Sequence, residues 1–139
     1  MTYVPSSLVQ TALSVLVAEV PELRAVYVFG SFASGRYRSD SDMDLAILTD
    51  RPLDVLPLWD LSASVASAID RDVDLIDLRA PNLSLVLGFE IVKEGKLIYC
   101  ADEMALLDRK CYLIDMYHDF AIMRAQRDVW ARERLKSDG

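Results

Sequence analysis

Asp42 and Asp44 stand one residue apart at the head of the apolar run Leu45-Ala46-Ile47-Leu48. In an extended strand, residues i and i+2 project from one face, so the two carboxylates point the same way. Carboxylates that close repel unless a cation or a proton sits between them. This pair borders a hydrophobic run, so it lies at the margin of a core and not on a solvated edge. Oxygen donors suit Mg²⁺, and a divalent ion at the lip of the strand is the economical partner.

Gly30-Ser31 follows a second β-rich run, Arg24-Ala25-Val26-Tyr27-Val28-Phe29. A glycine lets the backbone approach a ligand closely. Successive N–H groups in a tight strand-to-helix turn form an anion nest, and the Ser31 hydroxyl adds one hydrogen bond to a phosphate oxygen. Phosphates beside a carboxylate-held metal indicate nucleotide chemistry. No Gly-Lys-Ser/Thr follows, so the turn is not a Walker A loop. Arg36 and Arg38 lie in the same loop. Contact with a triphosphate and simple solvation are equally good accounts of them.

A two-metal site needs a third carboxylate. The segment Asp70-Arg71-Asp72-Val73-Asp74-Leu75-Ile76-Asp77 offers four. Asp74 lies between Val73, Leu75 and Ile76, so it is the one least easily explained as solvated surface, and it is chosen. Asp72 shares its face and ranks second. Asp70 and Asp77 read as surface acids.

The elements that must position these groups are legible in outline. Pro5-Ser6-Ser7 suits the start of a first helix, which Pro21 helps to stop. Short β-rich runs over 24–29 and 43–48 form the strands on either side of the motif. A second helix over 54–69, with a possible break at Pro57, leads to a third strand over 71–78. Residues 82–95 read as a helix closed by Gly95, followed by a fourth strand, Lys96–Cys100. A long helix runs from 102 to about 135. Met104, Leu107, Cys111, Ile114, His118 and Ala121 mark its expected apolar face. His118, the sole histidine, is then a packed or partner-facing residue and not a base. Trp59 and Trp130 read as core or interface. Strands and helices alternate, so the class is α/β or α+β, a small mixed sheet flanked by helices.

The chain has 139 residues, 53% of them hydrophobic, which is enough for one domain spanning 1–139. Uninterrupted apolar runs fall short of a membrane span, and the first ten residues lack the basic region of a signal peptide. Cys100 and Cys111 have no metal or redox spacing and read as reduced core thiols of a cytoplasmic protein. The net charge of −7 argues against direct nucleic-acid binding, which needs a basic footprint. Charge is uneven, however. Arg124, Arg127, Arg132, Arg134 and Lys136 crowd the last helix against Asp128 and Glu133. This is either a solvated helix end or a contact for an acidic partner.

Gly30-Ser31, ten intervening residues that include Gly35, and then Asp42-Met43-Asp44 match a known signature, Gly-Ser-x10-Asp-x-Asp. On this motif the chain resembles the polymerase-β-like nucleotidyltransferase superfamily. The runs Val73–Leu78 and Phe89–Tyr99 are similar, more narrowly, to the minimal nucleotidyltransferase (MNT) antitoxins paired with HEPN toxins. The resemblance covers residues 10–120. It implies a polymerase-β-like fold with two Mg²⁺ ions bound by Asp42 and Asp44. Asp74 would ligate one ion and help deprotonate the acceptor, while Gly30 and Ser31 hold the β- and γ-phosphates. The implied reaction transfers AMP from ATP to a tyrosine of a HEPN-domain ribonuclease toxin, which is silenced in a hetero-oligomer. Two other readings stand beside it. One is an antitoxin that acts by occlusion alone. The other is a small-molecule nucleotidyltransferase for aminoglycoside-like hydroxyls, disfavoured because little chain remains for an acceptor pocket.

Overall fold

The computed structural model describes residues 3–137; the extreme ends of the expected 1–139 domain, residues 1–2 and 138–139, lie outside the described residues. The elements follow in the order α1 (Ser7–Glu19), β1 (Leu23–Phe29), α2 (Ser31–Ser34), β2 (Met43–Thr49), α3 (Val55–Ile69), β3 (Val73–Asp77), α4 (Leu85–Glu94), β4 (Lys96–Cys100) and α5 (Glu103–Ser137). The four strands form one sheet in the order β3-β2-β1-β4. β1 is antiparallel to both β2 and β4, whereas β2 and β3 run parallel. The expected mixed α/β class is therefore found.

Alternation along the strands divides the core into two layers. Val26 and Val28 of β1 and Met43, Leu45 and Ile47 of β2 face α1 and α3, where they meet Val9, Leu16, Leu61 and Val65. Ala25, Tyr27, Ala46 and Leu48 face the other way, onto Ile91 of α4 and Leu106 and Leu113 of α5. Both layers end where β2 begins. Asp44 continues the register of Ala46 and Leu48 but lies past their apolar cover.

Local signals account for most boundaries. The Ser6 hydroxyl caps α1 by accepting from the Val9 N–H at 3.3 Å, and Ser84 caps α4 in the same way through Leu87. α3 is continuous through Pro57. Proline there falls in the first turn, where its missing N–H has no intrahelical partner to lose. The first helical bond, Leu58 N–H to the Asp54 carbonyl at 3.1 Å, forms just beyond it.

The face of α5 is a correction. Leu106 and Leu113 are the buried residues, with Ile114 and Tyr117 half-buried beside them. Of the expected stripe, Met104 is 66% and Leu107 52% exposed, and Cys111, His118 and Ala121 also face outward. Apolar residues recur with helical spacing on more than one side of this helix, and spacing alone does not choose between them. Leu106 and Leu113 join Ala25, Tyr27, Ala46 and Leu48 of the sheet in one buried cluster. Cys111 is consequently not a core thiol, while Cys100 is half-buried on β4. Trp59 and Trp130, at 65% and 59% exposure, are not core residues either.

Candidate active site

The site is built where β1 ends, β2 begins and β3 runs alongside. In the sheet register Asp44 is opposite Phe29 on β1 and beside Asp74 on the parallel strand β3. Asp44 and Asp74 thus share one face of adjacent strands. Asp42 precedes β2 by one residue and bears electrostatically on Asp44. Burial, then the Asp74 charge, then the Asp42 charge raise the Asp44 carboxyl above the ordinary carboxylate range. Asp42 and Asp74 are exposed and Asp44 is half-buried.

The turn after β1 is folded around this carboxylate. Gly30 has φ 68° and ψ −146°, and a Cβ at this position would overlap Oδ2 of Asp44. The glycine is required twice over, by its conformation and by the side chain that occupies its missing Cβ position. Ser31 then opens α2, whose turn is tied down by the Ala33 and Ser34 amides donating to the Gly30 carbonyl at 3.1 and 3.2 Å. Phe32, 2% exposed, anchors the turn in the core.

The loop between the two halves of the motif is held by a residue that sequence reasoning missed. Arg71 Nη1 donates to the carbonyls of Arg38 and Ser41 at 2.8 and 3.1 Å. Its guanidinium lies 5.3 Å from the centroid of Phe32, which is itself stacked on Tyr37 at 4.2 Å. Nothing in the run of aspartates around Arg71 signals this reach, because the acceptors are backbone carbonyls some thirty residues upstream.

Asp77 is a second correction. It is not a surface acid but 2% exposed. Its Oδ2 accepts from the Leu53 N–H at 2.8 Å and its Oδ1 from the Arg79 N–H at 2.9 Å. A buried carboxylate satisfied by two backbone amides is a loop clamp, and it stands on the sheet face away from Asp44 and Asp74. Asp72 is exposed, and its carbonyl accepts from Met43 N–H at 2.9 Å, pinning the entry of β3 to that of β2. Its side chain lines a shallow acidic groove with Asp40, Asp42 and Asp70.

A cleft of about 570 Å³ opens over Gly30 and Asp44 and is walled by α4 and by Tyr117 of α5. Arg36 and Arg38 do not line it; the cation that does is Lys93. A second cavity of about 470 Å³, between α1, α3 and the far end of β2, contains none of the residues of the motif. Among the described residues no three carboxylate, imidazole or thiol side chains converge closely enough to enclose one cation. The donor chemistry nonetheless suits Mg²⁺: all three acids supply oxygen, and a divalent ion would relieve the burial cost of the Asp44 charge and its repulsion from Asp74 and Asp42.

Residues 12–104 match the family described as polymerase beta, nucleotidyltransferase. The chain belongs to this family. Within the nucleotidyltransferases, it is 39% identical over 123 residues to the protein adenylyltransferase MntA of Shewanella oneidensis, which covers 85% of this chain and 84% of the relative. A chain of a toxin-antitoxin crystal structure with AMP-PNP superposes with a TM-score of 0.74 at 32% identity, covering 91% of this chain and 97% of that one. A chain from the complex of a tri-AMPylated Shewanella oneidensis HEPN toxin with its MNT antitoxin gives a TM-score of 0.68 at 29% identity, covering 91% and 94%. The expected polymerase-β-like nucleotidyltransferase fold and the expected similarity to MNT antitoxins are both found.

Proposed function

We propose that this nucleotidyltransferase is the antitoxin of a HEPN/MNT pair and acts as a protein adenylyltransferase on its partner toxin. A tyrosine hydroxyl of the toxin attacks the α-phosphorus of ATP. A new P–O bond forms, pyrophosphate departs, and the hydroxyl proton is released. The observation that carries the reading is the register that sets Asp44 beside Asp74 on one sheet face, with Gly30 folded against Asp44. The 39% identity to a protein adenylyltransferase selects a protein acceptor over a small-molecule one.

In this reading residues 1–139 form one nucleotidyltransferase domain. Asp42, Asp44 and Asp74 are the ligands of Mg²⁺. Bound there, the ions supply charge neutralisation on the entering and leaving oxygens. Asp74, exposed at the edge of the triad, accepts the proton of the tyrosine hydroxyl. Gly30 and Ser31 bring the backbone and one hydroxyl to the β- and γ-phosphates. The turn at Gly30 supplies position, which accounts for much of the acceleration in phosphoryl transfer. The raised Asp44 carboxyl means that acid weakens the site by protonating a ligand. A cytoplasmic location follows from the ATP requirement; no helix among the described residues is long and apolar enough to cross a membrane.

The test mixes the protein with ATP, Mg²⁺ and its HEPN partner, then weighs the toxin intact. Mass increments of whole adenylyl groups are expected, and EDTA is expected to abolish them. A toxin that is neutralised without any change in mass establishes occlusion instead.

A further inference from the structure

The cleft over Gly30 and Asp44, which Asp42 and Asp74 do not line, is acidic. Asp44, Glu90 and Glu94 line it, and Lys93 is the one cation that does. α4 also ends here, and its C-terminus adds partial negative charge. A nucleoside triphosphate carries a charge of about −4 near neutrality, and two divalent ions held by three carboxylates leave little surplus to meet it. The cation that the cleft offers for this task is Lys93, on α4.

Lys93 is held in a state ready for that task. It forms no ion pair with Glu90 or Glu94, its acidic neighbours in the same helix. Its ammonium instead lies 5.4 Å from the centroid of Phe89. Phe89 is in turn stacked on Tyr117 at 4.0 Å and 9°, and the edge of His118 approaches both rings at 5.7 Å. The aromatic pair joins α4 to α5 and fixes where the lysine starts. A cation resting on a half-buried ring is held far less tightly than by a phosphate.

We propose that Lys93 is the phosphate-binding cation of this site, moving from the face of Phe89 to the β- and γ-phosphates of the incoming nucleotide. The assignment rests on the adenylyl-transfer reading and deepens it. Lys93 distinguishes a nucleoside triphosphate from a monophosphate, and its charge stays with the pyrophosphate as that group leaves. Phe89 and Tyr117 are positioning residues that hold the lysine over the cleft.

The experiment measures binding of ATP and of AMP, each with Mg²⁺, to the full chain by titration calorimetry. Wild type, Lys93→Met and Lys93→Arg are compared. Lys93→Met is expected to weaken ATP about tenfold to a hundredfold, the loss of one hydrogen bond to a charged group, while AMP changes less than about threefold. Lys93→Arg is expected to recover most of the ATP affinity, and the melting temperature is expected to stay unchanged in both. ATP affinity that ignores Lys93→Met overturns the assignment while leaving adenylyl transfer intact. Equal losses for ATP and AMP also overturn it, because Lys93 would then shape the cleft instead of reading phosphates. Failure of the wild type to bind ATP at all would remove the adenylyl-transfer reading and the assignment together.

Discussion

The Asp44 carboxylate occupies the space into which a Cβ on Gly30 would project. The two halves of the Gly-Ser…Asp-x-Asp signature are therefore one packing unit. The glycine is spaced from the aspartates in sequence because β1 and β2 are antiparallel neighbours whose ends meet at Phe29 and Asp44.

Gly30→Ala combines a left-handed φ with that overlap, so it should destabilise the fold by about 1–3 kcal/mol and abolish transfer. In an Asp44→Ala background the overlap is gone and only the backbone term remains. Chemical denaturation of the four proteins of the cycle should show a smaller cost for Gly30→Ala when Asp44 is absent. Equal costs in both backgrounds would mean that backbone conformation alone demands the glycine.

The raised Asp44 carboxyl makes a pH-dependent stability prediction. A carboxyl that binds its proton more tightly in the folded than in the unfolded chain favours folding while protonated. That contribution is complete below the unfolded pKa and is lost as pH rises through the folded one. At neutral pH the metal-free protein therefore carries the cost of a half-buried charge at Asp44, to which the Asp74 and Asp42 charges add repulsion. Asp44→Asn should raise the melting temperature in EDTA at neutral pH, and the gain should shrink as pH falls through the carboxylate range. Mg²⁺ should stabilise wild type more than the variant. A gain that is independent of pH would place its origin elsewhere.

Asp74 and Asp77 lie three residues apart on β3 and should fail in opposite ways. Asp74→Asn is nearly isosteric and exposed, so folding should survive while adenylyl transfer falls on the order of 100-fold or more. Asp77→Ala strips two backbone amides of a buried carboxylate partner and should cost about 2–5 kcal/mol of stability. Its transfer rate per folded molecule should stay near wild type at low temperature. Thermal melts and single-turnover rates on the same preparations separate the two, and a damaging Asp72→Asn would transfer the third-acid role to Asp72.

Arg71 fastens the loop that carries the motif spacer. Arg71→Ala should leave the melting transition cooperative, speed proteolysis within residues 35–42, and slow transfer on the order of tenfold to a hundredfold by letting the aspartates drift. Arg71→Lys should not restore the rate, because lysine lacks the planar fork and the stacking surface that meet Phe32. Full activity in Arg71→Lys would show that charge alone suffices.

Residues 118–136 of α5 are exposed throughout and carry Arg127, Arg132 and Arg134 beside Phe120, Ile122, Val129 and Trp130. Reversing the three arginines to glutamate should slow association with the HEPN partner, most at low salt, with little change in the nucleotide affinity of the isolated protein. Stopped-flow association rates that ignore both the reversal and the salt would leave these arginines as solvated helix charges.

The local geometry of the motif was legible in the chain. Gly30, Ser31, Asp42 and Asp44 announce themselves because a strand has a period of two and a tight turn needs a glycine, and both rules operate within a few residues. Helix ends at Ser6 and Gly95 are legible for the same reason, whereas the start of α4 at Ser84, two residues past the expected 82, is not. What required the tertiary structure was everything set by partners distant in sequence. The buried state of Asp77 depends on the Leu53 amide, the clasp of Arg71 on carbonyls of the motif loop, and the place of Lys93 on a ring that Tyr117 of α5 supports. The face of α5 is the plainest instance. Apolar residues recur at helical spacing on several of its sides, and burial is decided by which side meets the sheet face of Ala25 and Ala46. Periodicity limits a helix to a few faces, and only the shape of the surface opposite selects one.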